Sequence, residues 1–360
     1  MYSVAIIGTG NSETAPGREG SAMAYLHADG YVNNNSCEIV ACADIVQENA
    51  ERFATTFDIA PSNVYGSHTK LLQCEEIDIV SICTPPATHT DIVIDCIQNE
   101  DVAAIHCEKP VSTTWGECLR MRDAYIEGDT QLSFNLQRRF SKPYREAKKL
   151  IDDGEIGSIS RIEVSGWNLF DSGSHWIDLA NYLIGEVNIE WVLAQVEYLE
   201  ENVWYGAHNE NRSICHWEYE NGIHGITTTG DDGEFVGCHH RLEGSKGVIE
   251  VGNENGPALR IRRHRDDSWE VVDCNGESCH SPVEKTPESP GYVDRAINEV
   301  VTALHEERDP EMDIEAALRT TEVIFACWES SRRRGRVGLP LEVTDNPLEA
   351  MVEEGELLPE

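Results

Sequence analysis

The stretch VAIIGTGNSETAPGREGSAMAYL, residues 4–26, decides how the first half of the chain is read. An apolar run is followed at once by Gly8-Thr9-Gly10. In the pattern G-x-G-x-x-G, glycines let backbone N–H groups approach a pyrophosphate at a helix N-terminus. The third glycine belongs at position 13, but that residue is Glu13, and the next glycines are Gly17 and Gly20. Two readings stand at this point. One is a dinucleotide site with an enlarged loop and Gly20 as its third glycine. The other is an ordinary strand followed by a glycine-rich turn.

The residues downstream favour the first reading. EIVACAD (38–44) reads as a second strand that ends on Asp44. An acid there binds a ribose diol and repels a 2′-phosphate, which favours NAD over NADP, whereas the plainer alternative is a helix cap. Its separation from Gly8 exceeds the usual ~20 residues, and the extended loop accounts for the excess. Further strands are expected at IDIVSICT (77–84), AAIHCEK (103–109) and QLSFNLQ (131–137), with helical patterns at 47–57, 88–99 and 115–128 between them. Near-continuous apolar strands alternating with helices imply a parallel sheet covered on both faces.

Beyond residue 140 the rhythm changes. A helix (142–154), a strand (159–167) and a helical segment (172–185) precede runs with period-2 alternation up to about residue 273, the signature of a largely antiparallel sheet. Two helices, 290–307 and 313–335, close the chain ahead of an acidic end expected to be peripheral. The second has acids early and arginines late, matching the helix dipole.

Charge and cysteines narrow the function classes. Twenty-eight basic residues face 65 acidic ones, a net of −37. Such a surface repels nucleic acid and anionic membranes. Only seven residues are lysines, and the carboxylates are spread along the chain, which reads as adaptation to high salt. No apolar run approaches the length of a membrane span, and the first residues lack a signal-peptide pattern. Twelve cysteines without a C-x-x-C pair read as reduced thiols of a cytoplasmic protein. Cys238-His239-His240 and Cys274-x4-Cys279-His280 are weak metal spacings, so no metal is expected.

Two motifs lie at strand ends, where open α/β sheets bind ligands. SICTPPATH (81–89) presents Thr84, Pro85 and His89, and HCEKP (106–110) presents Glu108 and Lys109. A lysine at the mouth of a parallel sheet can hydrogen-bond a substrate oxygen as a compact cation, or simply form a surface salt bridge.

Taken together, the chain resembles the glucose–fructose oxidoreductase/inositol dehydrogenase/MocA group of NAD(P)-dependent oxidoreductases. Gly8-Thr9-Gly10, Asp44, TPPATH (84–89), Glu108-Lys109-Pro110, FNLQRRFSKPY (134–144), DSGSHWIDLANYLIG (171–185) and VGLPLEV (337–343) carry the resemblance, in the right order through nearly the whole chain. The expanded first loop departs from the pattern. The resemblance implies an α/β fold: a doubly wound Rossmann domain (1–130), an α+β domain on a large open, mostly antiparallel sheet (131–344), and an acidic tail (345–360). That sheet commonly forms oligomer interfaces, so a homo-oligomer, dimer or tetramer, is expected.

The resemblance also implies an NAD site drawn from Gly8, Thr9, Gly10, Gly20, Asp44, Thr84, Pro85, His89, Glu108 and Lys109. It implies a catalytic set of Lys109, Asp171 and His175, and often a cis bond before Pro110. Residue chemistry agrees, because Asp171 and His175 are four apart and share a face on a helix or its first turn. A carboxylate there orients an imidazole that works as a base, and Asp178 is a second candidate for that role. The structural alternative is a helix cap at Asp171 and a packed His175. Asn135, Arg138 and Arg139 line a substrate cleft or hold strand to helix, and Trp167 packs in the core or on a sugar ring. The expected chemistry is hydride transfer between NAD and a secondary alcohol of a sugar, sugar derivative or cyclitol. Its rivals are glycoside cleavage or elimination by transient oxidation, and a sugar- or NAD-sensing regulator.

Overall fold

The computed structural model describes residues 1–10, 23–230, 236–253, 256–279 and 291–358, so Gly20 lies outside the described residues. The chain forms two compact units.

The first unit comprises Met1–Gln137, Trp204–Gly206 and Val293–Ala317. Its sheet holds β1 (Tyr2–Ile7), β2 (Cys37–Ala43), β3 (Val64–Tyr65), β4 (Ile79–Ile82), β5 (Ala104–Cys107) and β6 (Gln131–Phe134) in the order β3-β2-β1-β4-β5-β6. Every neighbouring pair is parallel. The sequence reading expected five strands here. The sixth, β3, has only two residues, too few to leave an apolar run. Strand order reverses between β1 and β4, which opens a crevice at their carboxyl ends. Gly8 lies there at φ 83°, and a Cβ on it would come within 2.6 Å of Thr84 Cγ2 and 2.9 Å of the Cys83 carbonyl carbon. Only glycine fits that turn.

The helix Met23–Val32 buries Ala24, His27, Ala28 and Tyr31, one face at 3.6-residue spacing. Gly30 lets Ile297 of the helix Tyr292–His305 come close, since a Cβ would lie 2.8 Å from Ile297 Cγ1. Ile297 and Val301 join Val4, Ile6, Phe53 and Ile79 in one core. The sequence reading began the second domain at 131 and ran it unbroken to 344, whereas here the first unit reaches Gln137 and includes Val293–Ala317.

The second unit carries a nine-stranded sheet. In spatial order the strands are Glu270–Val271, Leu259–Arg263, Gly247–Asn253, Cys238–Gly244, Ile159–Gly166, His224–Thr229, Arg212–Tyr219, Ile189–Glu197 and Val337–Gly338. All pairs are antiparallel except Ile159–Gly166 with His224–Thr229. Trp217, Phe170, Phe325 and Trp328 are buried, with the Phe170 and Trp328 rings 5.7 Å apart. Backbone N–H groups of Ala194 and Val196 donate to Ser330 Oγ and Ser331 Oγ at 2.8 and 3.2 Å, which satisfies a stretch of strand the short final strand does not reach.

The acidic end forms a helix, Pro347–Glu353, capped by Asn346, with Leu348 and Met351 buried. It is therefore packed where the sequence suggested a peripheral tail. All twelve cysteines are free thiols. No helix among the described residues is long and apolar enough to cross a membrane.

Candidate active site

In the first unit, the carboxyl ends of β1, β2, β4 and β5 gather the residues singled out in the sequence. Asp44 follows β2, and its Oδ2 accepts hydrogen bonds from Thr9 Oγ1 and the Gly10 N–H, both at 3.0 Å. Its Oδ1 accepts the Val46 N–H at 2.8 Å. The carboxylate is thus held against the Gly8-Thr9-Gly10 turn, with Gly10 also at positive φ. Glycines without side chains over a strand end, with an acid alongside, fit the pyrophosphate and ribose of a dinucleotide.

Thr84 and Pro85 follow β4, and Pro86–Thr88 form a short 3-10 turn into the helix His89–Ile97. His89 is fully buried. Its ring nitrogens lie 2.7 Å from the Thr84 carbonyl oxygen and 3.0 Å from that of Pro110, so it ties the Thr84 loop to the next motif. The Lys109–Pro110 bond is cis. Lys109 is half-buried, and its backbone N–H donates to Glu108 Oε2 at 3.2 Å. Glu108 itself is buried. Asn135 Nδ2 donates to its Oε1 at 2.7 Å, and His27 Nε2 lies 3.0 Å from the same oxygen. Burial opposes the charge on Glu108, but His27 and Lys109 outweigh it and hold the carboxyl down to about 2.

In the second unit, Asp171 and His175 sit at the start of the helix Gly173–Ile184. Asp171 is half-buried in the preceding turn, where its N–H and that of Ser172 both donate to Asn168 Oδ1 at 2.9 Å. His175 is buried in the first helical turn, with its N–H donating to the Ser172 carbonyl at 3.1 Å. Asp178, the alternative orienting acid, is engaged elsewhere. Arg139 Nε donates to both of its oxygens at 3.1 and 2.9 Å, and Arg139 also pairs with Glu186 at 2.7 Å. Arg139 therefore clamps the turn after β6 to this helix. Arg138 donates to the Cys279 carbonyl at 2.9 Å and stacks 4.4 Å from the Trp176 ring centroid. Trp167 is 84% exposed, not core-packed. His240, from the weak metal spacing, is buried between Tyr144 Oη at 2.8 Å and the Trp176 carbonyl at 2.7 Å.

Sequence reasoning missed His27 and Glu210. His27 left one signal, a polar residue on the apolar stripe of a short helix. Glu210 left none, since its meaning comes from the donors around it: Leu169 N–H, Thr229 Oγ1 and Trp328 Nε1.

Comparison with known proteins matches both units. The profile of the Gfo/Idh/MocA oxidoreductase family, NAD-binding Rossmann fold, matches residues 2–136, and that family's C-terminal alpha/beta domain matches residues 148–339. A myo-inositol 2-dehydrogenase of Thermotoga maritima is 23% identical over 245 residues, 63% of this chain and 72% of that protein. Among solved structures, an oxidoreductase from Agrobacterium radiobacter in complex with NAD+, L-tartaric acid and magnesium superposes with TM-score 0.75 at 17% identity, covering 98% of this chain and 99% of that one. An inositol dehydrogenase homolog from Azotobacter vinelandii, complexed with NADH and myo-inositol, gives 0.74 at 19% identity, covering 94% and 97%.

Proposed function

The chain belongs to the Gfo/Idh/MocA family of NAD-binding oxidoreductases, and on that premise we propose that it transfers a hydride between NAD and a secondary alcohol of a cyclitol, sugar or sugar derivative. The observation that carries the reading is the Glu108-Lys109-Pro110 element on the same sheet edge as the Asp44-bound glycine turn. It supports a role for the Lys109 amine beside a dinucleotide cradle. The myo-inositol 2-dehydrogenase relative supports a cyclitol or sugar as the alcohol.

When bound, the nicotinamide supplies the hydride chemistry, and the protein supplies orientation and charge. Asp44 holds the ribose hydroxyls, and Gly8, Thr9 and Gly10 leave room for the phosphates. Thr84 and Pro85 border the cofactor, with His89 and Glu108 fixing the backbone behind them. Lys109 donates a hydrogen bond to the reacting oxygen and stabilises its negative charge. His175 takes the hydroxyl proton, and Asp171 orients the imidazole and binds a neighbouring hydroxyl. Asn135 serves the substrate through its hold on Glu108, and Arg138 through its place beside Trp176.

A second copy of the chain covers the sheet face that displays Leu193 and Ile214, which are 45% and 59% exposed and pair with His216 and Thr228 of neighbouring strands. Twelve free thiols support a cytoplasmic setting. The test is a panel of polyols, sugars and sugar acids with NAD or NADP, read as NADH absorbance. Reduction of NAD by an alcohol is the expected result. Product formed with no net need for added NAD would replace this reading with transient oxidation, and a flat response across the panel would overturn it.

A further inference from the structure

One buried ionisable side chain of the first unit has no part in the reaction just described. His27 is fully buried, with Nδ1 2.8 Å from Ser81 Oγ and Nε2 3.0 Å from Glu108 Oε1. Glu108 immediately precedes Lys109, and a buried carboxylate needs a counter-charge. Two cations act on it, the His27 imidazolium and the Lys109 ammonium. The other titratable neighbours supply no positive charge. His106, its ring centroid 5.0 Å from that of His27, is driven down to about 3 by burial and by His27. Cys83, 3.5 Å from His27 Nδ1, and Tyr31, one helical turn on, can only lose protons. Burial opposes the charge on His27, but Cys83 and Glu108 outweigh it and push the imidazole up to about 10.

We propose that His27 is a positioning residue: it is the internal counter-ion of Glu108, and by meeting that charge inside the sheet edge it weakens the pull of Glu108 on the Lys109 ammonium, leaving the amine to the substrate oxygen. The inference rests on the role given to Lys109 above. A single carboxylate shared by two cations stabilises both protonated forms. Removing the imidazolium removes its like-charge repulsion of the lysine ammonium and leaves the Glu108 charge unmet, which favours the protonated lysine and draws it toward Glu108. Asn135 Nδ2 donates to the same Glu108 oxygen at 2.7 Å and lies 2.9 Å from His27 Nε2, so it holds the carboxylate and the imidazole in one cluster.

The test measures Lys109 directly. Full-length wild type, His27→Gln and His27→Leu are treated with trinitrobenzene sulfonate across the alkaline range, and modification of Lys109 is followed by mass spectrometry. The expected result is slower Lys109 labelling in both variants, about tenfold at a given pH for each unit rise in the amine's pKa. Adding Glu108→Gln to either variant restores the wild-type rate. Unfolding would speed labelling, so loss of fold does not mimic the effect, and His27→Gln keeps polar contacts if His27→Leu is unstable. Equal Lys109 labelling in wild type and folded variants overturns the proposal. Labelling needs no turnover, so it decides the matter even if no alcohol reduces NAD, a result that would sink the dehydrogenase reading instead.

Discussion

Glu210 accepts the backbone N–H of Leu169 at 2.7 Å and so anchors, from the segment just ahead of the strand Arg212–Tyr219, the loop that leads into Asp171 and His175. Asn209 Oδ1 adds a contact to the Asp171 N–H at 3.3 Å. The donors to Glu210, namely the N–H groups of Leu169 and of Glu210 itself, Trp328 Nε1 and Thr229 Oγ1, are neutral, and burial raises its carboxyl from 4.5 to about 7 in spite of them. A carboxyl raised in the folded state binds its proton more tightly there than in the unfolded chain. Its contribution to stability is therefore full below about 4.5 and is lost as pH climbs through about 7, a swing on the order of 3 kcal/mol. Glu210→Gln removes this titration. The melting-temperature difference between variant and wild type should move in the variant's favour as pH rises across that window. A difference that stays constant with pH would refute the assignment.

Lys109 carries the second expectation. If its ammonium stabilises charge on the reacting oxygen, Lys109→Met removes an interaction that grows in the transition state. Turnover of the alcohol identified by the substrate panel should fall by about 100-fold or more. Binding of NAD, followed by quenching of tryptophan fluorescence, should stay within a few-fold, because the Asp44-bound glycine turn does not involve this side chain. Comparable losses in both measurements would mean that Lys109 shapes the cofactor site instead.

Asp44 tests the choice between NAD and NADP. Its carboxylate already holds Thr9 and Gly10, so Asp44→Ala loosens the turn as well as removing the ribose partner. Asp44→Asn keeps an acceptor for the Gly10 N–H and removes the charge, losing only the Val46 N–H contact besides. In Asp44→Asn the preference for NAD over NADP, measured as a ratio of kcat/KM, should shrink by about tenfold, since repulsion of a 2′-phosphate disappears. An unchanged ratio would place cofactor discrimination at other residues.

The parts of this fold that were legible in the sequence are those written in local periodicity. Five of the six parallel strands appear as apolar runs bounded by helical patterns, and the alternation of His224–Thr229 or Arg212–Tyr219 marks a sheet with two unlike faces. Val64–Tyr65 is too short for any pattern. The grouping of Val293–Ala317 with the first unit was not legible, because an amphipathic helix records that it has a buried face, not which sheet lies under it. The candidate site divides in the same way. The places of Lys109 and Asp44 after strands and of His175 in a first helical turn could be read from the pattern. The partnership of Asp178 with Arg139 was not, since a carboxylate three residues from a histidine looks like its partner until a buried guanidinium is seen to occupy both oxygens. Burial of His89 and Asn135 and exposure of Trp167 depend on neighbours distant in sequence.

The charge balance gives the last expectation. Acidic residues outnumber basic ones by 37, and several of the basic residues are already shared among carboxylates: Arg263 with Glu155 and Glu270, Arg308 with Glu299 and Glu306, Arg332 with Glu329 and Asp345. Much of the remaining negative charge therefore acts as self-repulsion in the compact state, a term that falls as salt shortens the screening length from about 10 Å at 0.1 M to about 3 Å at 1 M. Surface pairs lose attraction over the same range, but each is worth only about 0–1 kcal/mol, so the repulsion dominates the response. Thermal unfolding should shift upward when potassium chloride is raised from dilute buffer to molar concentration. Sucrose at equal osmolality, which does not screen charge, should give a smaller shift. A melting temperature that is flat or falls with added salt would show that the carboxylates are balanced locally and that the composition carries no salt requirement.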